Sequence, residues 1–339
     1  MSRLTSRVTP RVSVVTLHHV GDLLFPFIDS VKKHCTIPYE IIVVTSDEKL
    51  AMTGIEGCLV FHSTALPAEK RNIGVRLSKA PNVAFFDDDV EITAGCIEAM
   101  FMSLIQGGVG MVYGKLHKYG TTRFDEAGSY LTWNGFIWSR AEQNIPDTGQ
   151  YDEECRIFAG KSASCMIRKY VFNEVGGFDE DFGILGEESE LAWRVWLAGY
   201  YVVYCPKSLA NHKFNTPLKP FNKFYSHERV HTFGCRNYLT MLTKNLGKEH
   251  LWIIPLHFMI WFSVGCVMVI TGKLSQGIHI FRGLKQFITR LRTTLKKREL
   301  IQRKRVKTDA ELWPAIYRVP SGSYYWTRFC RYVGLGLHG

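Results

Sequence analysis

Short apolar runs alternate with segments of helical spacing over the first part of the chain, and the runs are rich in β-branched residues. The runs occupy residues 12–17, 40–45, 58–62 and 83–86, and the helical segments occupy residues 23–34 and 68–79. Apolar runs of this length without polar alternation are typical of strands buried on both faces of a sheet. The chain is therefore predicted to be an α/β protein with a mixed, mostly parallel sheet, in which ligands bind at the carboxyl ends of the strands.

The last of these runs leads directly into three consecutive aspartates, Asp87, Asp88 and Asp89. Side chains at positions i and i+2 of an extended chain face the same side, so Asp87 and Asp89 are able to contact one ligand together. Carboxylate oxygens suit Mg²⁺ or Mn²⁺, and such an ion can neutralise the charge of a leaving diphosphate. An acidic turn or a helix N-cap is the structural alternative.

Carboxylates are also concentrated at the start of a predicted helix over residues 186–198. Glu187, Glu188 and Glu190 fall in its first turn, where the helix dipole favours negative charge. Glu190 can also pair with Arg194 one turn later, and both arrangements can be purely structural. The functional alternative is a general base that takes a proton from an acceptor hydroxyl, with a neighbouring acid raising its pKa.

Two further groups lie next to predicted strands. His212 is predicted in a loop after a late strand over residues 200–204, which we expect to end at Pro206. It is a candidate metal ligand or phosphate contact, although a lone histidine is also a common structural residue. The polar segment 70–72 precedes the Asp87 strand and is a candidate for contact with a base or a phosphate, with a solvated helix face as the alternative.

The positive charge of the chain is concentrated near its C-terminus. The whole chain carries a formal net charge of +11, and residues 282–307 contain eleven Lys or Arg and one acid. The apolar segment Leu251–Thr271 precedes them and has the length of about 20 residues that a bilayer span needs. Together the two segments predict shallow or re-entrant contact with an anionic membrane surface. A core helix and a solvated helix face are the alternatives.

The remaining features favour the cytosol. The nine cysteines are scattered and form no C-x-x-C pair, so they indicate neither a disulfide framework nor a zinc site. Reduced thiols fit a cytosolic domain, and the run 12–17 is too short and too polar for a secretion signal. No nucleic-acid-binding fold or aromatic platform accompanies the basic segment, so no nucleic-acid partner is expected.

In this order, the motifs resemble family-2 glycosyltransferases, particularly the rhamnosyltransferase-like branch, over roughly residues 11–215. The resemblance begins with Val12-Ser13-Val14-Val15, Ile41-Ile42-Val43-Val44, Arg71-Asn72-x-Gly74 and Phe85-Phe86-Asp87-Asp88-Asp89-Val90. Its most specific part is Val175-Gly176-Gly177-Phe178-Asp179-Glu180, then Glu187-Glu188-x-Glu190-Leu191-x-x-Arg194, Ala198-Gly199-Tyr200 and His212. Each piece is weak alone, and the ordered combination is specific.

The resemblance implies a GT-A fold, which is a Rossmann-like nucleotide-diphospho-sugar transferase domain, over residues 11–215. Residues 1–10 are then an N-terminal tail, and residues 216–339 a helical appendage that is first apolar and then basic and associates with a membrane. A nucleotide diphosphate-sugar is the expected donor, and Mn²⁺ or Mg²⁺ is the expected cofactor. The expected metal ligands are Asp89, Asp87 and His212.

The resemblance also implies roles for individual residues. The expected donor contacts are Arg71, Asn72, Asp87, Asp88, Thr16 and Asp47. The expected acceptor contacts are Gly177, Phe178, Asp179 and Glu190. The second acid of the family's Glu-Asp pair corresponds to Glu188, which makes Glu188 the expected general base with Glu187 beside it.

The sequence departs from the family pattern in two places. The family usually has a Val-Asp-Asn motif after the second strand, whose aspartate contacts the nucleotide base. This chain has Val44-Thr45-Ser46 there, followed by Asp47, which leaves the identity of the base open. The Glu-Asp pair is Glu187-Glu188, and a glutamate is one methylene longer than an aspartate. Glu187 and Glu190 therefore remain rivals for the role of base.

These motifs predict an inverting, metal-dependent glycosyltransferase that moves rhamnose or another hexose to a hydroxyl of a glycan or of a lipid-linked acceptor. Its expected place is the cytoplasmic face of a membrane, bound peripherally or monotopically. One alternative is an inactive GT-A-like module that tethers partners at a membrane. Another is a nucleotidyltransferase, although the residues after the first strand form no glycine-rich phosphate loop.

Overall fold

The computed structural model describes residues 9–19, 21–142, 144–214 and 227–333. The predicted N-terminal tail, residues 1–10, lies outside this range except for its last two positions. The four predicted strands form as β1 (Val12–His18), β2 (Tyr39–Thr45), β3 (Cys58–His62) and β4 (Asn82–Asp87). The predicted helices form as α1 (Leu24–His34) and α3 (Pro67–Leu77), with a short unpredicted helix, α2 (Glu48–Thr53), between them.

The region after β4 adds most of the remaining strands and helices of the α/β part. The strands are β5 (Val90–Ile92), β6 (Val109–Lys118), β7 (Phe124–Glu126), β8 (Ser129–Leu131), β9 (Ile137–Ser139), β10 (Cys155–Arg156), β11 (Ser164–Arg168) and β12 (Tyr201–His212). The helices are α4 (Cys96–Leu104), α5 (Lys169–Val175) and α6 (Glu187–Leu197). All strands except β8 and β9 belong to one ten-stranded sheet.

The sheet is mixed and mostly parallel, as the sequence predicts. Its strand order is β10-β12-β6-β11-β4-β1-β2-β3, with β5 paired to β12 and β7 paired to β6. β1 to β4 are parallel to one another, and β11 runs antiparallel to both β4 and β6, so β4, β6 and β12 share one direction. The carboxyl ends of β4 and β12 therefore lie at the same edge of the sheet.

The last strand differs from its prediction. The expected strand over residues 200–204 does not end at Pro206, because β12 continues to His212. Its register against β6 shifts between Cys205 and Leu209, and Pro206 falls in this irregular stretch, where a missing backbone N–H removes no ladder hydrogen bond. His212 is thus a strand residue and not a loop residue.

Helix α3 packs unusually close to the sheet. A Cβ atom added at Gly74 would lie 2.3 Å from Cγ1 of Val15 on β1, so only glycine permits this contact. Pro67 stands at the first turn of α3, where its missing N–H costs nothing. The close contact fixes the direction in which the polar face of α3 points, which is toward the carboxyl ends of β1 and β4.

The C-terminal region is helical, as predicted. It contains α7 (His227–Asn245), α8 (Ile253–Ile270), α9 (Leu274–Arg303), α10 (Asp309–Ile316) and α11 (Gly322–Val333). Met241, Leu242 and Ile253 join the hydrophobic core on one face of the sheet, so these helices pack on the α/β part. The predicted boundary at residues 215 and 216 lies outside the described residues and stays a prediction.

Helix α8 occupies most of the predicted apolar segment and has two different faces. Within the described residues, Lys248–Ile270 is the one helical stretch long and apolar enough to cross a membrane by length and composition, and 33% of its 18-residue apolar window is buried. On the inner face, Nδ1 of His257 lies 2.9 Å from the carbonyl oxygen of Asn134, and the Trp261 indole donates to Nε2 of His257 at 2.9 Å. On the outer face, Met259 and Phe262 are exposed.

The basic residues of segment 282–307 likewise fall into two groups, one with contacts inside the protein and one exposed to solvent. Some of its charges make internal contacts: Lys297 pairs with Asp179 and Asp181, and Arg298 donates to backbone carbonyls at the end of α7. The exposed basic residues are Arg282, Lys285, Arg290, Arg292, Lys296, Arg303 and Lys304. About two thirds of the cations thus remain at the surface. All nine cysteines lie within the described residues and are free thiols.

Candidate active site

Two carboxylates and one imidazole converge at the carboxyl edge of the sheet. Asp87 ends β4, Asp89 lies in the turn to β5, and His212 ends β12. The antiparallel pairing of β5 with β12 places His212 opposite Val90, which fixes it beside the aspartate turn. One ligand atom from each of the three side chains lies within 4.8 Å of the others. The three predicted metal ligands are therefore brought together.

The histidine is oriented by a second layer of contacts. Nε2 of His212 lies 3.4 Å from Oδ1 of Asp89, while Nδ1 lies 2.8 Å from Oδ2 of Asp125 on β7. Lys161 in turn donates to Asp125 at 2.8 Å. Although burial opposes the charged imidazole, the hydrogen bonds to Asp125 and Asp89 raise the pKa of His212 to about 9. A carboxylate behind a ligating histidine is the usual way to fix its ring, with the other nitrogen facing the metal.

Asp125 and Lys161 are candidate site residues that the sequence did not indicate. They lie in or just after the region 107–160, where short strands are separated by irregular turns. Neither residue belongs to a motif, and neither stands at a spacing that relates it to His212, which is 87 residues from Asp125. Only the pairing of β7 with β6, and of β6 with β12, brings them together.

The donor set of Asp87, Asp89 and His212 fits a divalent cation. Two hard carboxylates and one imidazole suit Mn²⁺, and Mg²⁺ less well because of the nitrogen ligand. A second group of three residues, Glu249, His250 and Asp309, also has ligand atoms within 4.8 Å of one another. Its atoms are already engaged, because Nδ1 of His250 lies 2.8 Å from Asp309 and Nε2 accepts from the Trp313 indole. Among the described residues, the first cluster is therefore the better candidate for a cation site.

Arg71 connects the candidate metal ligands to the glutamate pair Glu187-Glu188, because it contacts Asp87 in the first set and Glu187 in the second. Its guanidinium lies 2.8 Å from Oε1 of Glu187 and 3.4 Å from Oδ1 of Asp87. Its Cζ atom lies 5.5 Å from the centroid of the Phe178 ring. Burial opposes the charge of Arg71, yet Glu187 and then Asp87 outweigh it and raise the guanidinium pKa above its usual value. Arg71 is thus permanently charged between two carboxylates that come from β4 and α6.

Glu187 and Glu188 open α6 next to this arginine. The helix begins after Gly186, which has a left-handed backbone with φ of 83°. Burial, and then the neighbouring carboxylate of Glu187, raise the pKa of Glu188 to about 8. Glu187 is the member of the pair that contacts Arg71. Glu188 is therefore the carboxylate of this pair that can exchange a proton near pH 8.

The remaining donor candidates lie around the ends of β1 and β2. Oδ2 of Asp88 lies 2.9 Å from Nδ1 of His18, and Lys70 donates to the carbonyl oxygen of His18 at 3.3 Å. Thr16 is fully buried in β1. Asp47 caps α2 by accepting from the Leu50 amide at 3.1 Å. These residues border the same edge of the sheet, and their contact with a donor stays a prediction.

Asn72 holds a turn in place. Its amide nitrogen donates to the Phe178 carbonyl oxygen at 2.9 Å and to Glu180 at 2.8 Å, while its amide oxygen accepts from the Phe178 backbone N–H at 2.9 Å. Gly177 adopts φ of 68° in this turn, a conformation that favours glycine. The donor role expected of Asn72 stays a prediction, but its side chain already positions the segment that carries Phe178.

Three of the expected acceptor contacts face the protein interior. Phe178 is buried against Phe85, with ring centroids 5.4 Å apart. Asp179 is paired with Lys244 and Lys297, and Glu190 is paired with Lys244 at 2.7 Å and with Arg194. Glu190 is completely buried, and although burial opposes ionisation, Arg194 and Lys244 lower its pKa. Glu190 therefore has the contacts of a structural carboxylate. Glu187 remains the main alternative to Glu188 for the role of general base.

Comparison with known proteins identifies the family of this fold and site. Residues 82–281, more than half of the chain, match the model of the glycosyl transferase family group 2. The chain belongs to this family. Among curated relatives, it is 23% identical over 252 residues to the putative polypeptide N-acetylgalactosaminyltransferase 10 of Drosophila melanogaster, covering 68% of this chain and 39% of that protein.

Other family relatives and a solved structure agree with this. The chain is 26% identical over 220 residues to the O-antigen biosynthesis protein RfbC of Myxococcus xanthus, covering 59% of this chain and 17% of RfbC. It superposes on a crystal structure of GalNAc-T7 with UDP, GalNAc and Mn²⁺ with a TM-score of 0.56 and 17% identity, covering 72% of this chain and 49% of GalNAc-T7. The fold is GT-A, as expected, and the chain spans less than half the length of each of these proteins.

The converging ligands generate a prediction about metal binding. Asp89→Asn should abolish binding of Mn²⁺ and metal-dependent binding of a nucleotide-sugar, because it removes a buried ligand without changing the size of the side chain. Asp125→Asn should weaken Mn²⁺ about 10- to 100-fold, the usual effect of losing a residue that orients a ligand. Titration calorimetry with Mn²⁺ measures both.

The matched control is Asp29→Asn, which makes the same change at an exposed residue of α1. It should bind Mn²⁺ like the unmutated protein. If Asp89→Asn also retains the full affinity, the metal is not held by this cluster.

Proposed function

We propose that this protein transfers a hexose, with rhamnose as one candidate, from a nucleotide diphosphate-sugar to a hydroxyl of a glycan or lipid-linked acceptor, with inversion at the anomeric carbon. The single observation that supports the proposal most is that Arg71 connects two carboxylate sets at one edge of the sheet. One set fits a divalent cation, and the other contains a carboxylate that can exchange a proton near pH 8.

Glu188 is the proposed general base. An acceptor hydroxyl would give its proton to Glu188 while its oxygen forms a bond to the anomeric carbon and the bond from that carbon to the diphosphate breaks. A base is most effective when its pKa lies near the working pH, and a pKa of about 8 satisfies this condition. Glu187 assists because its neighbouring carboxylate, held by Arg71, raises the pKa of Glu188.

The other residues of the site position the donor and neutralise its charge. Asp87, Asp89 and His212 would hold Mn²⁺ or Mg²⁺, which would stabilise the negative charge of the leaving diphosphate. Arg71 and Lys70 place two cations on the same helix next to that edge, where phosphate oxygens are attracted. Asp88 and His18 support the turn between β4 and β5 through their mutual contact.

The two alternatives have less support. An inactive tethering module would not need a buried, correctly oriented histidine beside two carboxylates, because each of these groups is costly to bury without a ligand. A nucleotidyltransferase would need a glycine-rich phosphate loop after β1, where the chain has His18-His19. Transfer of a sugar therefore remains the proposal that uses all of the converging groups.

We place the protein at the cytoplasmic face of a membrane, bound peripherally or monotopically. The outer face of α8 exposes Met259 and Phe262, and the neighbouring α9 exposes most of the basic segment. Apolar contact and attraction to anionic headgroups add to one another. A nucleotide-sugar in the cytosol and an acceptor in the membrane could then meet at the same site. The relationship to an O-antigen biosynthesis protein is consistent with such an acceptor.

The base assignment predicts both a rate effect and a pH profile. Glu188→Gln should retain donor affinity and lose at least about 10²-fold in turnover, the usual contribution of a general base. In the unmutated enzyme, kcat/KM should rise with pH through about 8, because the base acts only when it is deprotonated. Glu187→Gln removes the like charge and should shift this rise to lower pH.

The donor has to be identified before these rates can be measured. A thermal-shift screen of nucleotide-sugars with and without Mn²⁺ identifies it. Glu153→Gln, the same change at an exposed glutamate, serves as the control and should behave like the unmutated enzyme. If Glu187→Gln or Glu190→Gln loses turnover while Glu188→Gln does not, the base is a different glutamate.

The stereochemical prediction follows from the use of one base. If the acceptor oxygen attacks the anomeric carbon directly, one displacement occurs and the configuration inverts. Proton NMR of the product, recorded early in the reaction, should show the anomeric coupling opposite to that of the donor. Retention of the donor configuration would contradict a single displacement and would require a nucleophile in the site.

The membrane proposal predicts binding to anionic vesicles. The protein should float with vesicles that contain an anionic phospholipid and bind neutral vesicles more weakly. Replacing Arg282, Lys285, Arg292 and Lys296 by Gln should reduce binding at least about tenfold, because each engaged cation contributes about 1 kcal/mol. The internally paired Lys297 and Arg298 are left unchanged so that the fold is preserved.

The matched control replaces four exposed basic residues of the α/β part by Gln, namely Lys49, Arg76, Lys79 and Lys207. It has the same change in net charge and should float like the unmutated protein. Equal loss in the two variants would indicate a general charge effect, and no binding of the unmutated protein would exclude the membrane role.

A further inference from the structure

An apolar cavity of about 450 Å³ lies between the C-terminal helices and the loop that leads into α6. Its walls come from α7, α8 and α11, together with Leu185 and Gly186 of that loop and Asn134 and Phe136 of the turn between β8 and β9. A volume of this size is typical of a site for a small molecule or for part of a larger one. The cavity is separate from the metal cluster, none of whose ligands lines it.

The lining is mainly apolar. Phe136, Met241 and Val264 are apolar, and the amide of Asn237 already donates to the carbonyl oxygens of Phe182, Ile184 and Leu185. The other polar side chains in the lining include those of Asn134, Tyr325 and Arg328. A sugar ring buried here would exchange most of its contacts with water for contacts with apolar side chains, which is unfavourable. A hydrocarbon chain has no hydrogen bonds to lose on entering such a cavity and gains from leaving water.

Gly234 keeps the cavity open. It lies in the interior of α7, where glycine costs about 1 kcal/mol relative to alanine. A Cβ atom added there would meet no atom within 4 Å, and no unusual backbone conformation requires glycine at this position. The helix therefore has a residue that weakens it and does not fill available space. The presence of glycine at position 234 is explained if a ligand occupies the space beside it.

One end of the cavity lies next to the start of α6. Leu185 and Gly186 line it, and they directly precede Glu187 and Glu188 in the chain, although neither glutamate itself lines the cavity. A molecule that fills the cavity would therefore have one end next to the helical turn that carries the proposed base.

The other side of the cavity is formed by the helix with the exposed apolar face. Ile260, Trp261 and Val264 of α8 point into the cavity, while Met259 and Phe262 of the same helix are exposed. The cavity is thus separated from the proposed membrane surface by one helix. The exposed cations of α9 lie on the next helix and favour an anionic amphiphile over a neutral one.

We propose that this cavity binds the hydrocarbon chain of a lipid-linked acceptor, whose head group lies beside Glu188. The proposal rests on the proposed function, because it names the acceptor class for the same site. It makes the acceptor an amphiphile with a long alkyl or isoprenoid chain. A free soluble glycan would leave the cavity unused.

The test measures binding of a fluorescent fatty acid, dansyl-undecanoic acid, to the full-length protein in buffer without vesicles or detergent. The unmutated protein should bind it saturably at one site, with dodecanoate but not acetate as a competitor. Gly234→Leu should weaken binding at least tenfold by filling the cavity, and Gly234→Ala should weaken it less. Thermal unfolding checks that both variants are folded, which is expected because leucine and alanine favour the helix.

The control is Gly107→Leu, which adds the same side chain at an exposed glycine with no atom within 4 Å of its added Cβ. It should bind the probe like the unmutated protein. Binding that is unsaturable, or that is equal in folded Gly234→Leu and Gly234→Ala, would place the probe on the outer apolar face and overturn the proposal.

Binding of a nucleotide-sugar by the unmutated protein is measured separately, with and without Mn²⁺. If the nucleotide-sugar binds and the fatty acid does not, the chain-binding cavity is refuted while the transferase proposal is retained. If the fatty acid binds at the cavity and no nucleotide-sugar binds, the proposed function fails and the amphiphile site remains. The two failures are therefore distinguishable.

Discussion

The arrangement of the site depends on the buried guanidinium of Arg71. It contacts Asp87 at the end of β4 and Glu187 at the start of α6, two elements separated by about a hundred residues of chain. Removing one partner of such a buried pair typically costs 3–5 kcal/mol, because the remaining charge is left unpaired. Arg71 reaches this position because Gly74 allows α3 to lie against Val15. The metal cluster and the proposed base are thus held in one geometry.

A second buried cation joins the GT-A domain to the C-terminal helices. Lys244 of α7 pairs with Asp179 and with Glu190, two residues for which the family resemblance implies acceptor contact. Their carboxylates instead hold α7 against the start of α6, and α7 also supplies Gly234 and Tyr238 to the apolar cavity. The helices that follow the GT-A domain therefore pack against the start of α6 and supply most of the lining of the cavity in which we propose that the acceptor chain binds.

Much of the architecture could be predicted from the sequence, because its signals are local. The β-branched runs of β1, β2 and β4 are short and have no polar alternation, which favours strands buried on both faces. The acidic residues after β4 and at the start of α6 were found because strand ends and helix N-termini can be located in the sequence. The pattern did not reveal α2, β7 or the continuation of β12 through Pro206, since the cost of a proline depends on which ladder bonds its neighbours make.

By itself the sequence determined the elements, the carboxylates at their ends and the segregation of apolar and basic residues near the C-terminus. Only the tertiary structure decided which of these groups meet. His212 faces Asp89 because β12 pairs with β5, and Asp125 orients it because β7 pairs with β6. Likewise, hydropathy could not divide α8 into a face that lines a cavity and a face that is exposed. Register and packing between distant segments make these distinctions, and neither leaves a local pattern in the chain.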